Sequence, residues 1–269
     1  MKIAIIGAGT IGSSLAKSLI KSTEGNEILA TRRNLEKISD LNEIGINLIN
    51  NNQEAAEWSE VVVIATKPLD LKKIVKEIRE NIKNKVVISL AAAVSLDILK
   101  SLAPEARFIR AMPNIAVMVQ ESFTVYSSDT DITSNDKKII DMIFGAMGKY
   151  YEIEEKHMDG ITGLSGSGPA YIFTIIESLI YAGLRVGIPR DLAVIAASQT
   201  VLGAAKMALE SHKSVSELKD MVVTPGGVTL EGLHELEDGR LRTTINRAVQ
   251  AATKRSKEIS NEIKSQKNL

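Results

Sequence analysis

Two stretches of this 269-residue chain carry residue types at spacings that could do chemistry. The first is Gly7-Ala8-Gly9-Thr10-Ile11-Gly12. It follows an apolar run, Ile3 to Ile6, and leads at once into a helical pattern of Ile11, Leu15 and Leu19 with Ile20 beside it. Strand, tight turn and helix in that order suit a dinucleotide. Gly7 allows the turn, Gly9 lets a pyrophosphate approach the backbone, and Gly12 lets helix and strand pack closely. The helix N-terminus would offer unpaired N–H groups and a partial positive charge to the phosphates. The second stretch is Val223-Thr224-Pro225-Gly226-Gly227-Val228-Thr229. Here glycines precede a helix whose early residues carry a hydroxyl. The N–H groups of Gly226, Gly227 and Val228 would hold a carboxylate, Thr229 would donate to a second polar atom of the same ligand, and Thr224 would help define the loop. A cap and turn that bind nothing are the plainer alternative.

Further positions gather around the first motif. Dinucleotide folds of this kind place an acid about 20 residues past the glycines, on the ribose 2′-OH. Ala30-Thr31-Arg32-Arg33 stands there instead; Glu27 comes too early and Glu36 starts the next helix. Thr31, Arg32 and Arg33 suit a 2′-phosphate, because arginine presents a planar charged fork and can stack on adenine. That favours NADPH over NADH, with two solvated loop arginines as the alternative. Ala65-Thr66-Lys67-Pro68 follows a strand, at the carboxyl edge where ligand crevices form, and Asn52 is expected to face the same crevice. Ala91 and Ala92 end the next strand with small side chains that would let a flat nicotinamide lie against the backbone. Met112, Pro113 and Asn114 would wall the other side of the ring.

The elements that must position these residues follow from periodicity. Glu27–Thr31, Val61–Ala65, Val86–Leu90, Arg107–Met112, Phe123–Ser127 and Lys149–Ile153 read as strands, and Leu71–Ile82, Leu96–Leu102 and Ser134–Met147 as helices. Ser95 is placed to cap the helix that Pro104 ends. This βαβ rhythm predicts an α/β fold: a Rossmann-type, mostly parallel sheet over residues 1–155. From 156 to 269 the pattern is all helical. Pro169 opens a long apolar helix ended by Gly187, an alanine-rich helix spans Asp191–Leu209, and Ser214-x-x-Glu217 is a capping box. Gly226-Gly227 precedes a helix ended by Gly239, and Leu241–Lys264 forms the last. Apolar residues cover nearly every side of the helix after Pro169, and so few residues would struggle to enclose it. Dimerisation through this half is expected, most simply about a two-fold axis.

Composition narrows the classes. Lys+Arg 33 against Asp+Glu 33 leaves no net charge to draw nucleic acid or a membrane surface. With no cysteine and three scattered histidines, neither thiolate chemistry nor a metal site is expected. The N-terminus lacks the apolar length and cleavage motif of a signal peptide, and Ile161–Ile188 is interrupted by Glu177, Arg185 and glycines, so it reads as a buried helix and not a membrane span. A cytoplasmic location is the expectation.

Beyond these readings the chain resembles the pyrroline-5-carboxylate reductase family along essentially its whole length. The resemblance rests on Gly7–Gly12, Ala65–Pro68, Arg110-Ala-Met-Pro-Asn114, Gly163-Leu-Ser-Gly-Ser-Gly-Pro-Ala-Tyr171, Gln199–Ala205 and, most specifically, Leu218–Glu237. Three places depart from the family pattern: Val223 where a small hydroxyl residue is usual, Ile115-Ala116 where Thr-Pro is usual, and Val94 where glycine is frequent. The resemblance implies an NADP-binding Rossmann-like domain (1–155) and an all-helical dimerisation and substrate-binding domain (156–269). It also implies reduction of L-1-pyrroline-5-carboxylate to L-proline with NADPH, or less readily NADH, the last step of proline synthesis. Dimers of such enzymes often build larger rings, decamers included, with each active site at the dimer interface. Thr229 is then the expected catalytic contact, on the ring nitrogen. Two other readings compete. A related NADP-dependent imine or hydroxy-acid reductase would usually place a lysine in the inter-domain helix, which this chain lacks. A non-catalytic nucleotide-sensing protein would need no carboxylate pocket.

Overall fold

The computed structural model describes residues 1–22, 25–129 and 132–265. By internal contacts the chain falls into two units: Met1–Ser167 with Gln250 onward, and Gly168–Val249.

The first unit is built on eight strands: β1 (Lys2–Ile6), β2 (Glu27–Thr31), β3 (Asn47–Ile49), β4 (Val61–Ile64), β5 (Val86–Ser89), β6 (Arg107–Met112), β7 (Ser122–Ser128) and β8 (Gly148–Glu152). They form one sheet in the order β3-β2-β1-β4-β5-β6-β7-β8. Every pairing is parallel except β6 with β7, which is antiparallel. Its helices are α1 (Thr10–Ser22), α2 (Asn52–Trp58), α3 (Pro68–Ile78), α4 (Leu96–Leu102), α5 (Ser134–Gly145) and α6 (Met158–Ile161).

The central strands are apolar in both directions because both faces of the sheet are covered. Ile3, Ile5, Val61, Val63, Val86 and Ile88 pack into one cluster; Ala4, Ile6, Val62, Ile64 and Val87 pack into the other. All are essentially inaccessible to water, so each Val or Ile contributes about 1.5–3 kcal/mol by burial. Register sets this division, since Ile3 pairs with Val61 and Val61 with Val86, and alternate residues face opposite ways.

Several expectations are refined here. The helix expected over Leu71–Ile82 begins earlier, with Pro68 in its first turn, and tightens to a 3-10 turn over Arg79–Ile82. Ser95 stands at the cap position of α4, but its hydroxyl makes no capping bond. A 3-10 stretch (Leu35–Ile44), β3 and α2 carry no clear period in the sequence. β3 has three residues, too few to show alternation, and α2 is announced only by Asn51, whose side chain accepts from the N–H groups of Gln53 and Glu54. The first unit also reaches past residue 155, to Ser167. The amide of Asn114 holds Ser165, and Asp159 accepts from Ser256 of the last helix.

The second unit holds α7 (Gly168–Arg185), α8 (Arg190–Glu210), α9 (Val215–Asp220), α10 (Val228–Asp238) and the start of α11 (Leu241–Ser265). Gly187 ends α7 in the left-handed region, and Ser214 with Glu217 forms the capping box of α9. Within the single chain α7 buries no residue, as expected of a helix whose cover must come from association. α8 buries only Ala193 and Ala197, while Phe173, Ile195, Leu202 and Val228 are largely exposed. α8 is long and apolar enough to cross a membrane by length and composition alone, at a mean hydropathy of 1.5. Its alanines and Gly203 also leave a surface that other helices can approach closely.

Two outcomes follow. A Cβ on Gly12 would lie 2.7 Å from the Gly7 carbonyl oxygen and 3.2 Å from the Ala65 Cβ. Gly12→Val should therefore cost about 1–3 kcal/mol, read in a thermal melt as a drop of roughly 2–10 °C. Because the second unit lacks a core, hydrogen exchange in α7 and α8 should slow as protein concentration rises through the association range, while exchange in β1, β4 and β5 stays constant. Equal protection of α7 and α8 at all concentrations would count against a shared core.

A dinucleotide cleft and a carboxylate-type loop

The sheet order reverses at β1: the chain runs outward to β2 and β3, then returns to add β4 on the other side. Ligands bind such sheets outside the carboxyl ends of the strands at that switch point. A cleft of about 410 Å³ opens there. It joins Gly7 and Gly9 after β1, Thr31, Arg32 and Arg33 after β2, Asn52 at the start of α2, and Ala65, Thr66 and Lys67 after β4. These are nine of the expected cofactor residues. Ala8 is buried beneath the turn, while Thr10, Ile11, Gly12 and Pro68 begin the two helices that flank the cleft.

The turn is held from below. The N–H groups of Gly7 and Ala8 both donate to the Thr31 carbonyl, at 3.2 and 2.8 Å. The N–H of Gly7 also meets the Thr31 hydroxyl at 3.3 Å, and that hydroxyl donates to Asn52 Oδ1 at 2.7 Å. Thr31 is thus buried and committed to bracing the turn, and Asn52 turns its amide toward Glu77. Arg32 donates to the Ala8 carbonyl at 3.1 Å. Arg33 lies 3.3 Å from Asp70 with its side chain 86% exposed, a pair too solvated to hold it tightly. Asn34, Lys37 and Asp70 also line the cleft. No period or motif in the sequence marks them, although Lys37 adds a further positive charge beside Arg32 and Arg33.

A nucleotide diphosphate fits this arrangement on three counts. A Cβ on Gly9 would point into open space, so the glycine leaves room that a side chain would fill. Among the described residues, the N–H groups of Thr10, Ile11 and Gly12 at the start of α1 have no protein partner. The Thr66 hydroxyl oxygen is buried and unpartnered at the cleft wall, a cost that a bound polar group would remove.

Ala91, Ala92, Met112, Pro113 and Asn114 lie outside that cleft, at the ends of β5 and β6. A ligand laid along the carboxyl edge from β2 to β6 crosses four strand spacings, roughly 19 Å. Ala91 and Pro113 are buried, and Ala92 is half-buried. Met112 packs against the turn Thr162–Gly166, where a Cβ on Gly166 would come within 2.6 Å of its methyl carbon. The Asn114 side chain is fully engaged: its oxygen accepts from the Ala116 N–H, and its nitrogen donates to the carbonyl and hydroxyl of Ser165.

In the second unit, Thr224-Pro225-Gly226-Gly227 forms a tight turn. The Gly227 N–H donates to the Thr224 carbonyl at 2.9 Å, and Gly226 has φ +69°. Proline then glycine at the two central positions is the pattern of a type II turn. Gly227 has no room for a Cβ against the Thr224 hydroxyl. One expectation changes: the Gly227 N–H, read as a carboxylate donor, is already used by the turn. Among the described residues, none partners the N–H groups of Gly226, Val228 and Thr229 or the Thr229 hydroxyl. They stand together at the start of α10, where the helix end favours an anion.

The chain's likeness to known proteins runs its full length. A family model described as pyrroline-5-carboxylate reductase dimerisation matches residues 155–259, and one described as NADP oxidoreductase coenzyme F420-dependent matches residues 2–93. The pyrroline-5-carboxylate reductase of Arabidopsis thaliana is 43% identical over 263 residues, which cover 96% of this chain and 95% of that protein. Among solved structures, the Plasmodium falciparum pyrroline carboxylate reductase with NADP bound is 32% identical with a TM-score of 0.88, over 97% of this chain and 98% of that one. A pyrroline-5-carboxylate reductase from Coxiella burnetii is 34% identical with a TM-score of 0.87, over 96% and 97%. This chain belongs to the pyrroline-5-carboxylate reductase family.

Proposed function

We propose that the chain reduces L-1-pyrroline-5-carboxylate to L-proline with NADPH, the closing step of proline synthesis, as a cytoplasmic homo-oligomer. The observation that carries this reading is identity of 43% across 96% of the chain to a protein of that activity. The cleft at the β1–β4 switch supports the nucleotide half of it, and the free donors at the start of α10 support the substrate half.

Bound NADPH supplies the hydride. The chain's own residues supply binding and orientation. The N–H groups of Thr10, Ile11 and Gly12 hold the diphosphate, and Arg32 and Arg33 meet the 2′-phosphate. Ala91, Ala92, Met112, Pro113 and Asn114 shape the place of the nicotinamide. The substrate is a cyclic imine bearing a carboxylate. Its acid group is held by the N–H groups of Gly226 and Val228, with Thr224 and Gly227 fixing the turn that aims them. The Thr229 hydroxyl hydrogen-bonds the ring nitrogen. His234 lies further along α10 and is exposed. No strong general acid stands on this loop, so the imine proton comes from solvent or arrives with the substrate. Residues 1–155 act as the cofactor domain and 156–269 as the dimerisation and substrate domain. The dimer supplies the loop of one copy to the nucleotide of the other, and dimers assemble into a larger ring such as a decamer.

Loss of NADPH absorbance on adding pyrroline-5-carboxylate tests the activity directly; no change with that imine would defeat the assignment. Thr229→Ala should lower kcat/KM by about 10-fold, the worth of one hydrogen bond of about 1.4 kcal/mol; an unchanged value would remove Thr229 from the mechanism. Replacing both Arg32 and Arg33 by alanine should raise KM for NADPH roughly 10- to 100-fold, since charged hydrogen bonds are worth about 1.5–3 kcal/mol. KM for NADH should stay within about twofold, because NADH lacks the phosphate; parallel loss with both nucleotides would mean that the arginines act on the fold.

A further inference from the structure

The two loops that leave β5 and β6 are tied together by one carboxylate that neither loop contains. Glu155 Oε1 accepts from Arg110 Nη1 at 2.8 Å and from the Leu96 N–H at 2.8 Å. Arg110 lies on β6, two residues before Met112, and its side chain is 8% exposed. Leu96 is the first residue of α4, directly after the loop that begins at Leu90.

That loop has little of its own to hold it. Its entry is fixed by the Leu90 N–H donating to the Ile64 carbonyl at 2.9 Å. Within it Ala93 takes φ +65°, a conformation that residues with a Cβ adopt rarely. At its exit Ser95 stands where a cap belongs, yet its hydroxyl is buried and bonds to nothing. The first N–H of the helix, that of Leu96, is held instead by Glu155. The same oxygen is also the ion-pair partner of the buried Arg110 guanidinium, so the end of β6 and the exit of the β5 loop are fixed to a common point. The nucleotide cleft is not part of this tie: Arg32, Asn52 and Thr66 make no bond to any of the three groups.

We propose that Glu155 is a positioning residue for the reduction. It sets Ala91–Ala93 and Met112–Asn114 against each other, so that the nicotinamide between them is held at the angle that transfer requires. This rests on the reading that those two loops flank the reacting ring. It separates two quantities that a merely structural ion pair would move together. Affinity for the nucleotide belongs to the cleft at β1, β2 and β4, whereas orientation of the ring belongs to the pair of loops at β5 and β6.

The test uses the full-length enzyme with Glu155→Gln, Glu155→Asp, and a double variant carrying Arg110→Met and Glu155→Met. NADPH dissociation constants are measured by fluorescence titration, kcat and KM with pyrroline-5-carboxylate, and Tm by calorimetry. The double variant removes both charges at once, so that no buried ion is stranded. Expected are NADPH affinities within twofold of wild type in all three. Misplacement of the ring should lower kcat roughly 10- to 100-fold in Glu155→Gln. Glu155→Asp should recover part of that loss, and kcat should stay low in the double variant even where its Tm returns to that of wild type. Wild-type kcat in the double variant, or a loss of NADPH affinity as large as the loss of kcat in Glu155→Gln, would overturn the proposal and leave the activity standing. A wild-type enzyme that binds NADPH but does not reduce the imine would overturn the activity, and this role with it.

Discussion

The helical unit has almost nothing of its own to stand on. Across Gly168–Val249 only Ala193 and Ala197 are withdrawn from water. The aromatic and aliphatic side chains of α7, α8 and α10 project outward, and a helix apolar on most sides is unstable in water without cover. The family model described as pyrroline-5-carboxylate reductase dimerisation lies over this part of the sequence. Burial of these faces by a second copy would couple the stability of this half to association.

The sheet unit is self-sufficient by contrast. Its central strands are sealed on both faces, and the crevice at the β1–β4 switch follows from topology alone. The glycine turn is braced by Thr31, and Thr31 in turn by Asn52. What stays open is a short list: three N–H groups at the start of α1, the room before Gly9, and the orphaned Thr66 hydroxyl. Rigid surroundings with a few unspent polar groups suit a site that holds a charged nucleotide without rearranging.

Much of this was legible in the residues. The Ile3–Gly12 run announces strand, turn and helix because the steric demands of a tight turn and a close helix fall on adjacent positions. Val61–Ile64 and Val86–Ile88 announce buried strands because both faces of a parallel sheet are covered. The absence of an acid near Arg32 and Arg33 speaks of the nucleotide preferred. The outward apolar faces of α7 and α8 were readable as well, since too few residues follow to enclose them.

Other features were settled by the tertiary structure. β3 was too short to show a period. The Gly227 N–H looked free in the sequence and is consumed by its own turn. The bonds of the Asn114 amide to Ser165 come from a segment the sequence does not link to it. Ser95 looked like a cap, yet its hydroxyl makes no capping bond, and the first N–H of the helix, that of Leu96, is taken instead by Glu155, 59 residues away. The sequence by itself determined most of the strands and helices, the glycine turn and the class of ligand, because those depend on neighbours within a few positions. Which donors and acceptors remain unspent was decided only by the fold, because each such group is satisfied or stranded by whatever distant segment the sheet order brings beside it.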